Sequence, residues 1–169
     1  EAPLVWWDLP LEAGGIVPED RSRFLRLHAV PASAPPEGAL GTLVVIHGGY
    51  WKNKFGLDDP YGNAGTASLA PYFLNRGFAA VELEYRRRDH EGGGWPGTND
   101  DILSALRRLQ EMHAAASGAG DAAAEAVLSG ADEECRAAIR FLRPDKIILV
   151  GHSAGGTLAL WAAHKLAAE

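Results

Sequence analysis

Lys146-Ile147-Ile148-Leu149-Val150-Gly151-His152-Ser153-Ala154-Gly155-Gly156 decides the reading of this chain. A fully apolar run stops at a G-x-S-x-G box, and a helical pattern starts beyond it. Four consecutive apolar residues of this kind suit a strand buried on both faces of a parallel sheet. The box then lifts a serine onto a sharp strand-to-helix turn, with its hydroxyl exposed. Gly151 and Gly155 fit the same turn, because it brings the strand and helix backbones too close for side chains.

A second run of this type, Thr42-Leu43-Val44-Val45-Ile46, feeds directly into His47-Gly48-Gly49-Tyr50-Trp51. Two glycines there let the backbone turn its amides toward a neighbour. Phe78 to Tyr85 reads as a third strand, and Phe24 to Val30 as a weakly alternating fourth. Between them the sequence predicts a helix over 66–75, ended by Gly77. Thr98-Asn99-Asp100-Asp101 resembles a capping box, opening a helix that carries Ile102, Leu106 and Leu109. A short helix is expected over 132–142, stopped before Pro144, and another over 157–168, apolar on most sides. Strands alternating with helices imply an α/β fold with a mostly parallel sheet flanked by helices. Residues 1–22 read as an irregular leading segment with Trp6 and Trp7 packed on the body. Residues 52–65 read as a loop, and 114–131 as an Ala/Gly-rich surface insertion, part helical and part flexible. The whole, 1–169, reads as a single domain.

Bulk composition narrows the function. Hydrophobic residues make up 47% of the chain and the formal net charge is −6. That composition is globular, and the charge argues against a nucleic-acid partner. No apolar run is long enough to span a bilayer, so no membrane partner is expected. The single cysteine, Cys135, cannot form an internal disulfide, which fits a reducing, cytoplasmic compartment. Oligomeric state is not legible.

Ser153 is the candidate nucleophile. A serine hydroxyl needs a base to take its proton. The Ala154 amide opens the following helix, where free N–H groups and the positive dipole end favour developing negative charge. Gly48 and Gly49 supply further candidate donors from the other loop. The competing reading is a glycine-rich turn that cradles a phosphate. His28, His90 and His113 read as ordinary strand, loop and helix-surface residues. His152 is expected to point back into the structure. Glu82 and Glu84 share one strand face and are expected to pair with Arg86 to Arg88. Asp58 and Asp59 read as a solvated loop, and no histidine pair has metal-ligand spacing.

With these residues in place, the chain resembles the N-terminal half of an α/β-hydrolase, in the esterase/lipase group with an HGG-type oxyanion loop. His47-Gly48-Gly49-Tyr50-Trp51, Glu84-Tyr85-Arg86-Arg87 and Gly92-Gly93-Gly94-Trp95-Pro96 resemble the kynurenine formamidase-like and bacterial esterase subgroup. The resemblance implies Ser153 as nucleophile, with Gly48, Gly49 and Ala154 as oxyanion donors. It implies that His47 steadies the loop, and that Tyr50, Trp51, Trp95 and His152 line the substrate pocket. It implies hydrolysis of carboxylic esters or small amides through an acyl-enzyme, with a small-molecule substrate and no metal or organic cofactor.

The family order places an acid and then a histidine after the serine. Here sixteen residues follow Ser153, with His164 and the terminal Glu169 as the only histidine and carboxylate. His164 lies about 16 Å along the helix, too far to act as base. The expectation is a chain truncated after that helix, lacking its triad acid and histidine and inactive alone. Two other readings stand beside the general esterase: kynurenine formamidase specifically, and a non-catalytic binding module or inactive fragment.

Overall fold

The computed structural model describes residues 5–12, 15–59, 63–118 and 121–168. Parts of the leading segment, of the 52–65 loop and of the Ala/Gly stretch, and Glu169, lie outside the described residues. In chain order the strands are β1 (Trp6–Leu9), β2 (Phe24–His28), β3 (Thr42–Ile46), β4 (Ala79–Glu84) and β5 (Ile147–Gly151). The helices are α1 (Leu69–Leu74), α2 (Gly97–Ser117), α3 (Ala122–Val127), α4 (Glu133–Phe141) and α5 (Ala154–Ala167).

The five strands form one sheet in the order β1-β2-β4-β3-β5. β4, β3 and β5 run parallel, while β2 joins β4, and β1 joins β2, antiparallel. The two apolar runs are neighbours, and β3 is fully buried, as its composition predicts. Their register pairs Ile46 with Gly151, so both glycine-bearing loops leave the sheet at one level. Successive side chains alternate between the two faces. Val44, Ile46, Val81 and Leu83 enter the main core with Ile102, Leu109, Ile139 and Leu158 of the helices. On the other face Ala80 packs with Ala70 and Leu74 of α1. The result is a three-layer α/β/α stack.

Several expectations are corrected. Trp6–Leu9 is a strand, not irregular chain: it pairs with β2 through Trp7↔Leu27 and Leu9↔Leu25. The capping box does not form, because its residues bond elsewhere. Thr98 Oγ1 donates to the Arg86 carbonyl. Asp101, on the sealed face of α2, accepts from the Arg86 amide at 2.9 Å and its Nη2 at 2.8 Å. The described part of the Ala/Gly stretch is largely helical and lies at the surface, with no buried residue in α3. α2 continues to Ser117, Asp121 caps α3 by accepting from the Ala124 amide, and Leu128 is fully buried. The buried Arg108 guanidinium ties α3 to the body by donating to the Val127 carbonyl at 3.2 Å. β5 is paired on one side among the described residues, with β3, and is only part-buried. No described helix is long and apolar enough to cross a membrane.

Candidate active site

Ser153 stands between β5 and α5 with φ 53° and ψ −119°, and it is solvent-exposed. A positive φ is costly for a residue with a Cβ, and such strain gathers where a side chain must be aimed. The turn holds because α5 begins at once and locks against β3. A Cβ on Gly155 would collide with the Ile46 carbonyl oxygen, so only glycine lets the helix seat there.

The first amides of a helix lack intrahelical acceptors. In α5, Gly155 donates to the His152 carbonyl at 2.9 Å, and Gly156 and Thr157 donate to that of Ser153 at 2.9 and 3.3 Å. The Ala154 amide makes no hydrogen bond among the described residues. It is therefore available to an anion beside the Ser153 hydroxyl.

The other loop meets this turn directly. A Cβ on Gly48 would lie 2.7 Å from the His152 carbonyl oxygen and 3.1 Å from the Ser153 Cβ. Gly48 thus lies so close beside the His152–Ser153 turn that a side chain would not fit between them. Beyond it the chain is left-handed for three residues running: Gly49 at φ 122°, Tyr50 at 57° and Trp51 at 54°. The sequence marked only the glycine as a special position. The two aromatic residues give no local signal of it, because the loop is held from beneath by distant groups.

Those groups are buried. His47 is fully buried and stacks on Tyr85 with ring centroids 4.6 Å apart. Its Nδ1 faces the Gly48 carbonyl at 2.6 Å, and its Nε2 faces Glu84 Oε1 at 2.8 Å. The Tyr85 hydroxyl donates to the His47 carbonyl at 2.7 Å, and burial pushes its ionisation well above the usual phenol range. Glu84 also takes Arg87, as expected, but Arg86 pairs with Asp101 instead, and Glu82 pairs with His28 at 2.7 Å.

The remaining expected site residues are less converged. His152 is exposed, not turned inward; a Cβ on Gly65 would meet its Nδ1 at 2.5 Å, so the ring lies along that loop. Tyr50 and Trp95 are 71% and 73% exposed. Trp95 packs edge-to-face on Trp161 of α5 at 6.0 Å, and Tyr50 tilts against Phe55. Trp51 is partly exposed, and its carbonyl accepts from the Arg88 amide at 3.0 Å. Asp58 is not merely solvated: burial works against its charge, but Arg26 and Arg21 bond it and hold its carboxyl below the usual range. His28, His47 and His90 bond Glu82, Glu84 and the Arg87 amide. No histidine bonds Ser153 among the described residues.

No family model matches the sequence, and no curated protein matches it. Solved structures do. An alpha/beta hydrolase enzyme from a Medee basin deep-sea metagenome library superposes with a TM-score of 0.58 at 17% identity, over 92% of this chain and 49% of that one. Esterase B from Lactobacillus rhamnosis superposes with a TM-score of 0.58 at 22% identity, over 94% of this chain and 39% of that one. Thermogutta terrifontis esterase 2 phosphorylated by paraoxon gives 0.56 at 22% identity, over 94% and 47%. The chain has the α/β-hydrolase fold, and spans less than half the length of each of these proteins.

Proposed function

We propose that this chain carries the nucleophile and oxyanion machinery of a serine hydrolase acting on carboxylic esters or small amides. Ser153 Oγ attacks the substrate carbonyl and becomes acylated. The amides of Gly48, Gly49 and Ala154 hold the tetrahedral oxyanion, and water then releases the acid. Donors of this kind typically contribute about 2.7–4 kcal/mol each to the transition state. The observation that carries the reading is the close approach of Gly48 to the strained, exposed Ser153 turn, beside an Ala154 amide with no hydrogen-bond partner among the described residues. That approach also favours this over the phosphate-cradle reading, because it brings a second amide-bearing loop beside the serine itself. His47 positions that loop, and Tyr50, Trp51, Trp95 and His152 are proposed as the crevice wall. On this reading the proton acceptor and its orienting acid come from outside the described residues. Kynurenine formamidase activity is a narrower form of the proposal, resting on the H-G-G-Y-W segment.

The test supplies the base from solution. The protein is incubated with p-nitrophenyl butyrate and increasing imidazole, and separately with imidazole and paraoxon, which phosphorylates the Thermogutta esterase. Imidazole-dependent hydrolysis above the free-imidazole background is expected, with one diethylphosphoryl adduct mapped to Ser153. Both are lost in Ser153→Ala. Equal hydrolysis by the alanine variant, or an adduct elsewhere, removes Ser153 as nucleophile and leaves the binding-module reading.

A further inference from the structure

We infer that Glu84, at the end of β4, is the positioning residue of the oxyanion loop, acting through His47; this rests on the reading of Ser153 above. The parallel register pairs Ile46 with Leu83, so His47 and Glu84 leave their strands side by side. Glu84 is 4% exposed and its carboxylate gathers donors from three directions. Oε1 accepts from His47 Nε2 at 2.8 Å, from the Tyr85 amide at 3.2 Å, and from Arg87. Oε2 accepts from the Leu57 amide at 2.7 Å.

This arrangement fixes the loop twice. On the first side His47 has an oxygen acceptor at each ring nitrogen. The Glu84 carboxylate already accepts from three other donors, so Nε2 is the ring nitrogen that donates to it, while Nδ1 lies against the Gly48 carbonyl. The imidazole becomes a rigid strut from Glu84 to the Gly48 peptide, the peptide that lies beside Ser153. On the second side Glu84 holds the Leu57 amide, while Arg87 reaches the Asn53 carbonyl at 2.9 Å. The segment between them carries Phe55, and a Cβ on Gly49 would collide with the Phe55 side chain. Gly49, left-handed at φ 122°, is therefore backed by a segment pinned to the same carboxylate. Gly56 completes the fit: a Cβ there would lie 2.6 Å from Glu84 Oε2. One buried anion thus sets both proposed donor peptides without touching substrate. The general reason is that preorganised donors act only when held in place beforehand by supporting hydrogen bonds.

The test reads the strut itself by long-range proton–nitrogen NMR of the 169-residue chain. An exchange-protected Nε2–H proton is expected on His47 in the wild type; an Nε2 that carries no proton, or one that exchanges freely, overturns the inference. In Glu84→Gln one oxygen is replaced by a donor, so the Nε2 proton should exchange about tenfold faster or more, given the loss of a charge-assisted bond. The Gly48 and Gly49 amide signals should move with it. Phenylboronic acid, whose serine adduct mimics the tetrahedral oxyanion, should shift those amides in the wild type and bind about tenfold more weakly to the variant. A variant that melts at lower temperature while the His47 and glycine signals stay put makes Glu84 merely structural, and the inference fails. If Glu84→Gln does not fold, Glu84→Asp is read in its place and the same signals decide. A wild type that ignores boronate but keeps the protected Nε2 proton counts against Ser153 as nucleophile, and leaves the strut standing.

Discussion

Ser153 holds a backbone conformation that suits glycine better than serine, and it does so at the surface, where its side chain adds little packing. Strain of this kind costs about 1–3 kcal/mol. Ser153→Gly is therefore expected to raise the unfolding free energy by about 1 kcal/mol or more while abolishing the proposed acyl transfer; Ser153→Ala, which keeps the Cβ, is expected to abolish it without the gain. Urea melts of the three proteins measure this, and an unchanged midpoint for the glycine variant contradicts it. The serine and its glycines were legible because the box is local. The supports were not. Glu82 and Glu84 looked alike in sequence, yet one bonds His28 and the other His47, since strand register alone decides which partner each meets. Thr98 and Asp101 carried a capping pattern but serve the carbonyl and guanidinium of Arg86, because a charged, two-pronged guanidinium has the stronger claim on the buried Asp101 carboxylate.

The strand–turn–helix unit of β5 and α5 depends on the approach of Gly155 to the end of β3. Gly155→Ala forces its methyl into the Ile46 carbonyl, and backbone cannot swing aside as a side chain can. A loss of about 3 kcal/mol or more is expected, at the upper end for overpacking. Thermal melts read this, and a change below 1 kcal/mol would mean that α5 sits further from β3 than described. Elements were legible where their own composition sufficed: β3 and β5 are uniformly apolar, and α4 falls inside its expected span with Asp132 as cap. β1 was missed because four residues between prolines give no period. It exists through its pairing with β2 and through Asp8, which accepts from Arg26 at 2.8 Å. The outward face of α5, apolar as its sequence reads and with Leu160 at 77% exposure, is open among the described residues.

At the level of the whole molecule, the core seals α4 against the sheet and places Cys135 within it. Burial pushes this thiol up to about 11, so at pH 8 it stays protonated, and the thiolate is the reactive form. Ellman's reagent is expected to leave the native protein unmodified and to react in step with loss of far-ultraviolet circular dichroism along a denaturant series. Rapid native labelling would show that α4 opens locally. The three-layer arrangement itself was legible, since alternating strand and helix patterns admit few topologies. The antiparallel β1–β2 end was not, because direction of pairing leaves no mark on so short a strand.

The sheet also closes late. β5 follows every other strand in sequence yet docks on β3, and the Thr42 hydroxyl accepts from the Arg143 amide across 101 positions. A ribosome adding about 5–20 residues per second needs roughly 5–20 s to cover that distance. Throughout that interval the nascent chain presents an apolar, unpaired flank of β3 beside the glycine loop. An open strand flank of that kind templates aggregation, so the pairing of β3 with β5 that brings Gly48 beside Ser153 is also what seals the nascent sheet at this edge.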